Sequence, residues 1–174
     1  MHTTRSKASY ITLLALFATI SLAIYYVESL LPPIVPIPGI KLGLANIITL
    51  ILLKNTSFKD AFFVLLVRIL IATLLFGQVM GLLYSLSGGL FSLLAMFLIN
   101  RFLHSSFTGI TGICGALFHN LGQLLVAILL VSSLAPLAYL PFFLLSSVIT
   151  GLFTGLCAHY ASGLLRKLSV FRKF

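Results

Sequence analysis

"LLPPIVPIPGIKLGLAN", residues 30–46, interrupts an otherwise apolar chain with four prolines, two glycines and a lysine. Pro32, Pro33, Pro36 and Pro38 deny the backbone a continuous helix, and Gly39 permits a tight reversal. Before this stretch an apolar run extends from Ala8 to Leu31, and after it a second run covers only residues 42–53. A helix needs about 20 apolar residues to cross the hydrocarbon core of a bilayer. The second run is too short to cross unaided, so "IVPIPGIK" is expected to fold partly back into the outer leaflet. Irregular backbone at that depth is tolerated only where protein buries it or where it lines a watery cavity. Lys41 would then stand beside the N-terminus of a half-length helix, whose free N–H groups favour anions. An ordinary stiff external loop is the other reading of the same residues.

Composition places the whole chain in lipid. Of 174 residues, 60% are hydrophobic and 7% charged, and the mean hydropathy is +1.21. A soluble domain carries charge on roughly a quarter of its residues, and polar surface this scarce cannot cover a globule. The net charge of +9 does not indicate nucleic acid, because the basic residues form no single patch with interleaved aromatics. Cys114 and Cys157 lie inside apolar runs without C-x-x-C spacing, which indicates packing rather than metal or redox chemistry. Arg5 and Lys7 followed by an apolar run imitate a secretory signal. That run is long enough to span, and it is read as an uncleaved first helix.

Punctuation by Pro, Gly and charge divides residues 1–174 into six candidate spans of one integral membrane domain: 8–31, 42–53, 60–77, 81–103, 108–133 and 138–165. The expected fold is an all-α polytopic bundle of six transmembrane helices. With the N-terminus inside, Arg5, Lys7, Lys54, Lys59, Arg101, Arg166, Lys167, Arg172 and Lys173 fall on the cytoplasmic side, and Lys41 alone falls in an outer loop. This strong positive-inside bias places both termini in the cytoplasm. Small residues recur at four-residue spacing, as at Gly112 and Ala116 or Gly151 and Gly155, which lets helices approach closely in lipid. On the first helix Ala15, Thr19 and Ala23 follow the same spacing. They are read either as bundle packing or as a face that docks a separate membrane partner.

The groups that are missing exclude whole reaction classes. Glu28 and Asp60 are the only acidic residues, whereas Mg²⁺-dependent diphosphate chemistry needs several carboxylates close together. No G-x-x-x-x-G-K-[ST] loop is present to cradle a nucleotide, and no nucleophile has an obvious His and carboxylate set. No catalytic residue, metal or cofactor is therefore expected, and ATP-driven pumping by this chain alone is not either.

Polar groups at membrane depth then become the candidate site. A charged side chain there costs on the order of 2.5–3.5 kcal/mol on insertion scales and usually faces an interior or a cavity. Glu28, Lys41, Asn46, Arg68, Gln78, His119, Asn120 and Gln123 all fall between the midplane and the outer surface once each span is run in its direction. His119 and Gln123 are one turn apart on one face. Lys41 and Arg68 against Glu28 make the balance cationic, which favours an anionic solute entering from outside. Glu28 pairing with Arg68 or Lys41, and His119, Asn120 and Gln123 serving as interhelical glue, stand beside that reading. If the pair is structural, Arg68→Ala should strand a buried Glu28, and replacing Glu28 by Gln together with Arg68 by Leu should restore stability.

"PIPGIKLGLANI" at 36–47, "SLSGGLFSLLAM" at 85–96 and "GALFHNLGQLLVA" at 115–127 resemble the Gx transporter family, often labelled heptaprenyl diphosphate synthase component I. That family looks related to the substrate-binding S components of energy-coupling-factor transporters. The resemblance covers essentially all six spans. It implies a multi-pass subunit of a bacterial cell membrane that captures a small solute from outside. A transmembrane coupling protein with ATPase subunits would supply energy. It further implies a lid in the first external loop, at Pro36, Pro38 and Gly39, and a coupling face at Ala15, Thr19 and Ala23. Ligand contacts are expected at Glu28, Lys41, Asn46, Arg68, His119, Asn120 and Gln123. The family label points to the alternative, a non-catalytic membrane accessory subunit of heptaprenyl diphosphate or quinone synthesis.

Overall fold

Apolar runs separated by helix-breaking punctuation become helices in the computed structural model, which describes residues 7–30, 41–76, 79–102 and 108–167. Six α-helices follow in order: α1 (Lys7–Ser29), α2 (Asn46–Asn55), α3 (Phe58–Phe76), α4 (Val79–Phe102), α5 (Thr108–Val131) and α6 (Leu140–Lys167). A short 3-10 helix, Ala135–Tyr139, leads into α6. Each helix covers one of the six apolar runs. The largest departure is α2, whose helix starts at Asn46 instead of 42 because Gly43 takes a left-handed φ of 81°. Pro38, Pro36 and Gly39, the expected lid, and Gln78 lie outside the described residues.

Local chemistry sets the ends. Ser57 and Asp60 form a reciprocal cap on α3: the Ser57 hydroxyl donates to Asp60 Oδ2 at 2.7 Å, and the Asp60 N–H donates to Ser57 Oγ at 3.3 Å. α2 ends where Thr56 turns both its N–H and its hydroxyl onto the Leu52 carbonyl, at 2.7 and 2.8 Å. Arg166 and Ser162 of α6 close over that end by bonding Asn55 at 3.3 and 2.9 Å.

The short helix is the centre of the bundle. α2 packs against all five other helices, and Leu50 and Leu52 are fully buried. Around it Leu14 and Phe17 of α1, Leu65 and Ile69 of α3, Leu93 and Met96 of α4 and Ala158 of α6 form the main core. The tightest seam lies between α5 and α6. A Cβ added at Gly112 would strike the Gly151 carbonyl oxygen, and one at Gly155 would lie 2.6 Å from the Thr108 carbonyl oxygen. Backbone meets backbone there, as the small-residue spacing implied.

Outward, the helices are apolar. Leu74 on α3, Leu129 on α5 and Leu145 on α6 are exposed, as are many like them. Among the described residues, four segments are long and apolar enough to cross a membrane: α1, α4, α5 and the stretch Ala135–Lys167. The 19-residue α3 carries Lys59, Asp60 and Arg68, and the 10-residue α2 is too short to cross alone.

Candidate site at the N-terminus of the central helix

Helix rise explains why distant residues converge. Ten residues of α2 climb about 15 Å, half of the roughly 30 Å hydrocarbon thickness. From Phe58 to Arg68, α3 climbs the same distance. Asn46 and Arg68 therefore reach one level, where a small cavity is lined by Tyr25 and Glu28 of α1, Lys41, Gly43, Ala45 and Asn46 on the approach to α2, Arg68 of α3, Ser85 of α4, and His119 and Gln123 of α5. Its free space holds about one water molecule.

Glu28 is the anchor of this arrangement. Its Oε1 accepts the Gly43 N–H at 2.6 Å and its Oε2 accepts the Leu44 N–H at 3.0 Å. These donors lie at the open end of α2, so the carboxylate fills the anion position that the half-length helix creates. The residue is 5% exposed. Lys41 and Arg68 act on it electrostatically, but both oxygens are engaged by backbone. Glu28 thus caps the start of α2 while Lys41 and Arg68 act on it through charge.

His119 is held in a slot between two glycines. A Cβ at Gly43 would lie 2.6 Å from His119 Cδ2, and one at Gly88 would lie 2.8 Å from His119 Cε1. Gln123, one turn on, ties this ring to the segment entering α2. In the amide orientation that satisfies its neighbours, Nε2 donates to the Lys41 carbonyl at 3.0 Å, and the oxygen accepts from the Lys41 N–H at 3.3 Å and from His119 Nε2 at 3.0 Å. That orientation fixes His119 with its proton on Nε2.

Both cations lie over the Tyr25 ring. Lys41 Nζ sits 3.5 Å from the Tyr25 ring centroid, and the Arg68 guanidinium carbon sits 5.4 Å from it. Tyr25 also packs on Phe76 with centroids 6.2 Å apart. Arg68 is 3% exposed, yet its Nε has no hydrogen-bond partner; Asn46, also 3% exposed, has a free Oδ1. Both residues line the cavity, and each carries a buried polar atom without a partner, as His119 does at Nδ1, at a cost of about 1–3 kcal/mol each.

Of the residues singled out in the sequence, Glu28, Lys41, Asn46, Arg68, His119 and Gln123 meet here. Asn120 does not. Its Nδ2 donates across the α5–α6 seam to Ser147 Oγ at 2.9 Å, Ser146 Oγ at 3.1 Å and the Phe143 carbonyl at 3.2 Å. Ala15, Thr19 and Ala23 lie on the exposed face of α1, with the Thr19 hydroxyl turned back onto the Ala15 carbonyl at 3.0 Å. Tyr25, Gly43, Ala45 and Ser85 were not anticipated. Tyr25 carried one usable signal, its place one turn before Glu28 on the same helix face. Among the described residues, no group of three His, Cys, Asp or Glu side chains gathers to hold a metal. What the walls offer chemically is charge and hydrogen bonds.

Comparison with curated proteins and with solved structures finds no match to the chain. The family comparison does: the model described as heptaprenyl diphosphate synthase component I matches residues 17–161. The matched segment takes in every cavity-lining residue from Tyr25 to Gln123, and the chain belongs to the heptaprenyl diphosphate synthase component I family.

Proposed function

We propose that this chain is the solute-capturing membrane subunit of a transporter, resembling the S components of energy-coupling-factor systems, with energy supplied by partner subunits. The carrying observation is the mid-depth cavity with an unsatisfied Arg68 Nε and Asn46 Oδ1. Buried polar groups are normally satisfied, and unpartnered donors and acceptors on residues lining one cavity support a polar ligand there. The space present fits about one water, so a solute enters by displacing the segment at Lys41–Leu44. Side chains hold that segment through Gln123 on Lys41 and Glu28 on Gly43 and Leu44, and the Gly43 and Leu44 carbonyls accept the Asn46 and Ile47 N–H groups at 2.9 and 3.0 Å. In this reading six helices form one membrane domain, both termini face the cytoplasm, and the mouth opens outward past Lys41. Pro36, Pro38 and Gly39 serve as the lid, and Ala15, Thr19 and Ala23 serve as the face offered to a coupling protein.

Mass spectrometry of solutes retained by the protein purified in detergent tests this directly. A stoichiometric small solute, lost on replacing Arg68, is the expected result. A well-folded protein that carries and binds no solute would overturn the proposal. The family description itself favours a second reading, a non-catalytic membrane accessory subunit of prenyl diphosphate or quinone synthesis. Co-purification of a soluble synthase with paired aspartate-rich motifs supports that reading; co-purification of a coupling protein with ATPases supports the first.

A further inference from the structure

Resting on the capture reading, we propose that the solute is a monoanion whose charged oxygen bonds Arg68 Nε beside Lys41, and whose adjacent hydrogen-bond donor meets Asn46 Oδ1. Charge counting gives the first half. Around the cavity stand two cations, Lys41 and Arg68, and one carboxylate, Glu28. An arginine stays charged in any protein environment. Glu28 accepts an N–H on each oxygen, an arrangement that favours the ionised carboxylate, which is acceptor-only on both oxygens. The wall therefore carries one positive charge more than it neutralises, in a place where charge is poorly solvated.

The helix N-terminus does not supply the anion site, because Glu28 already occupies it. The cations stand apart from that end of the helix, over Tyr25, with Lys41 Nζ 3.5 Å and the Arg68 guanidinium carbon 5.4 Å from the ring centroid. Hydrogen-bond complementarity gives the second half. Arg68 Nε is a donor lacking an acceptor, and Asn46 Oδ1 is an acceptor lacking a donor. A ligand with an anionic oxygen next to a hydroxyl or N–H satisfies both. A neutral solute leaves the charge uncompensated, and a dianion overcompensates it beside Glu28.

The test uses full-length protein in detergent at constant ionic strength, with acetate, glycolate, acetamide and glycolamide as probes. Melting temperature is expected to rise with acetate, further with glycolate, and not with either amide. Arg68→Gln should weaken the apparent affinity for glycolate by about tenfold or more, as loss of a charged hydrogen bond does. Asn46→Asp, which supplies the missing negative charge within the wall, should abolish the anion response without unfolding the protein. Amides that stabilise as well as the acids, or an undiminished glycolate response in Asn46→Asp, would overturn the inference. Mass spectrometry of the protein as purified separates it from the broader reading. A bound monoanion supports both, a bound neutral solute ends the charge assignment and keeps the capture role, and no bound solute with a flat response to all four probes ends both.

Discussion

Glu28 and Arg68 invite treatment as one buried ion pair, and the structure separates their roles. Glu28 caps the Gly43 and Leu44 N–H groups, so Glu28→Gln leaves an amide nitrogen facing a backbone donor. We expect it to lower stability by about 1–3 kcal/mol, read as a fall in melting temperature in detergent. Arg68 makes no bond through Nε and is buried. Arg68→Leu is therefore expected to leave the empty protein's stability unchanged or raised, because an apolar group costs nothing to desolvate. The rescue expected of a simple pair then fails: the Glu28→Gln, Arg68→Leu double variant should stay as unstable as Glu28→Gln alone. Full recovery in the double variant would restore the ion-pair reading. The glycines flanking His119 supply a second test. Gly43→Ala meets both the imidazole and a φ of 81°, whereas Gly88→Ala meets the imidazole with ordinary helical backbone and the His119 carbonyl oxygen 3.0 Å away. Adding His119→Ala should recover more of the loss at Gly88 than at Gly43, where left-handed strain of about 1–3 kcal/mol persists. Equal recovery, measured by the same melting assay, would mean that the imidazole alone, and not the left-handed backbone, constrains Gly43.

Among the elements, α2 was legible by its length and α5–α6 by their glycines, for different physical reasons. A dozen apolar residues cannot cross a bilayer, and that shortfall was visible before any coordinates. What covered the free end of α2 was not, because a glutamate 15 positions upstream announces nothing about its partner until α1 is docked. Asn120 parts from His119 and Gln123 for a related reason. Residues 119, 120 and 123 are close in sequence, but a 100° step per residue turns Asn120 onto the neighbouring seam, where it bonds three groups of α6. The seam makes its own prediction. Gly151→Val should cost more than about 3 kcal/mol, since a Cβ there would overlap Ile113 Cα and the helices cannot part without losing the whole interface. Gly163→Ala on the same helix has nothing within 4 Å and should be neutral or stabilising by about 1 kcal/mol. Melting temperatures of the two variants check both, and similar losses at Gly151 and Gly163 would refute backbone-to-backbone packing at this seam.

For the whole molecule, the distribution of cations and the direction of each helix combine into a single orientation. Lys7 opens α1, Lys54 closes α2, Lys59 opens α3, Arg101 closes α4, and Arg166 and Lys167 close α6. Arg166 also reaches the Lys54 carbonyl at 3.4 Å, which brings the ends of α2 and α6 to one side of the bundle. The cavity, with Lys41 above it, lies toward the other side. Positive charge marks the cytoplasmic face, so the Arg166 side should face in and the turn between α5 and α6 should face out. Replacing Cys114 and Cys157 with Ala, both small and partly buried, leaves a background for single cysteines. Ser133, in the α5–α6 turn, and Ser57, between α2 and α3, then report opposite faces. A membrane-impermeant maleimide applied to intact cells should label Ser133→Cys and spare Ser57→Cys until the membrane is opened. The reverse pattern would turn the cavity mouth toward the cytoplasm. It would convert a subunit that captures from outside into one that binds an internal solute, and with it the requirement for an external lid would fall.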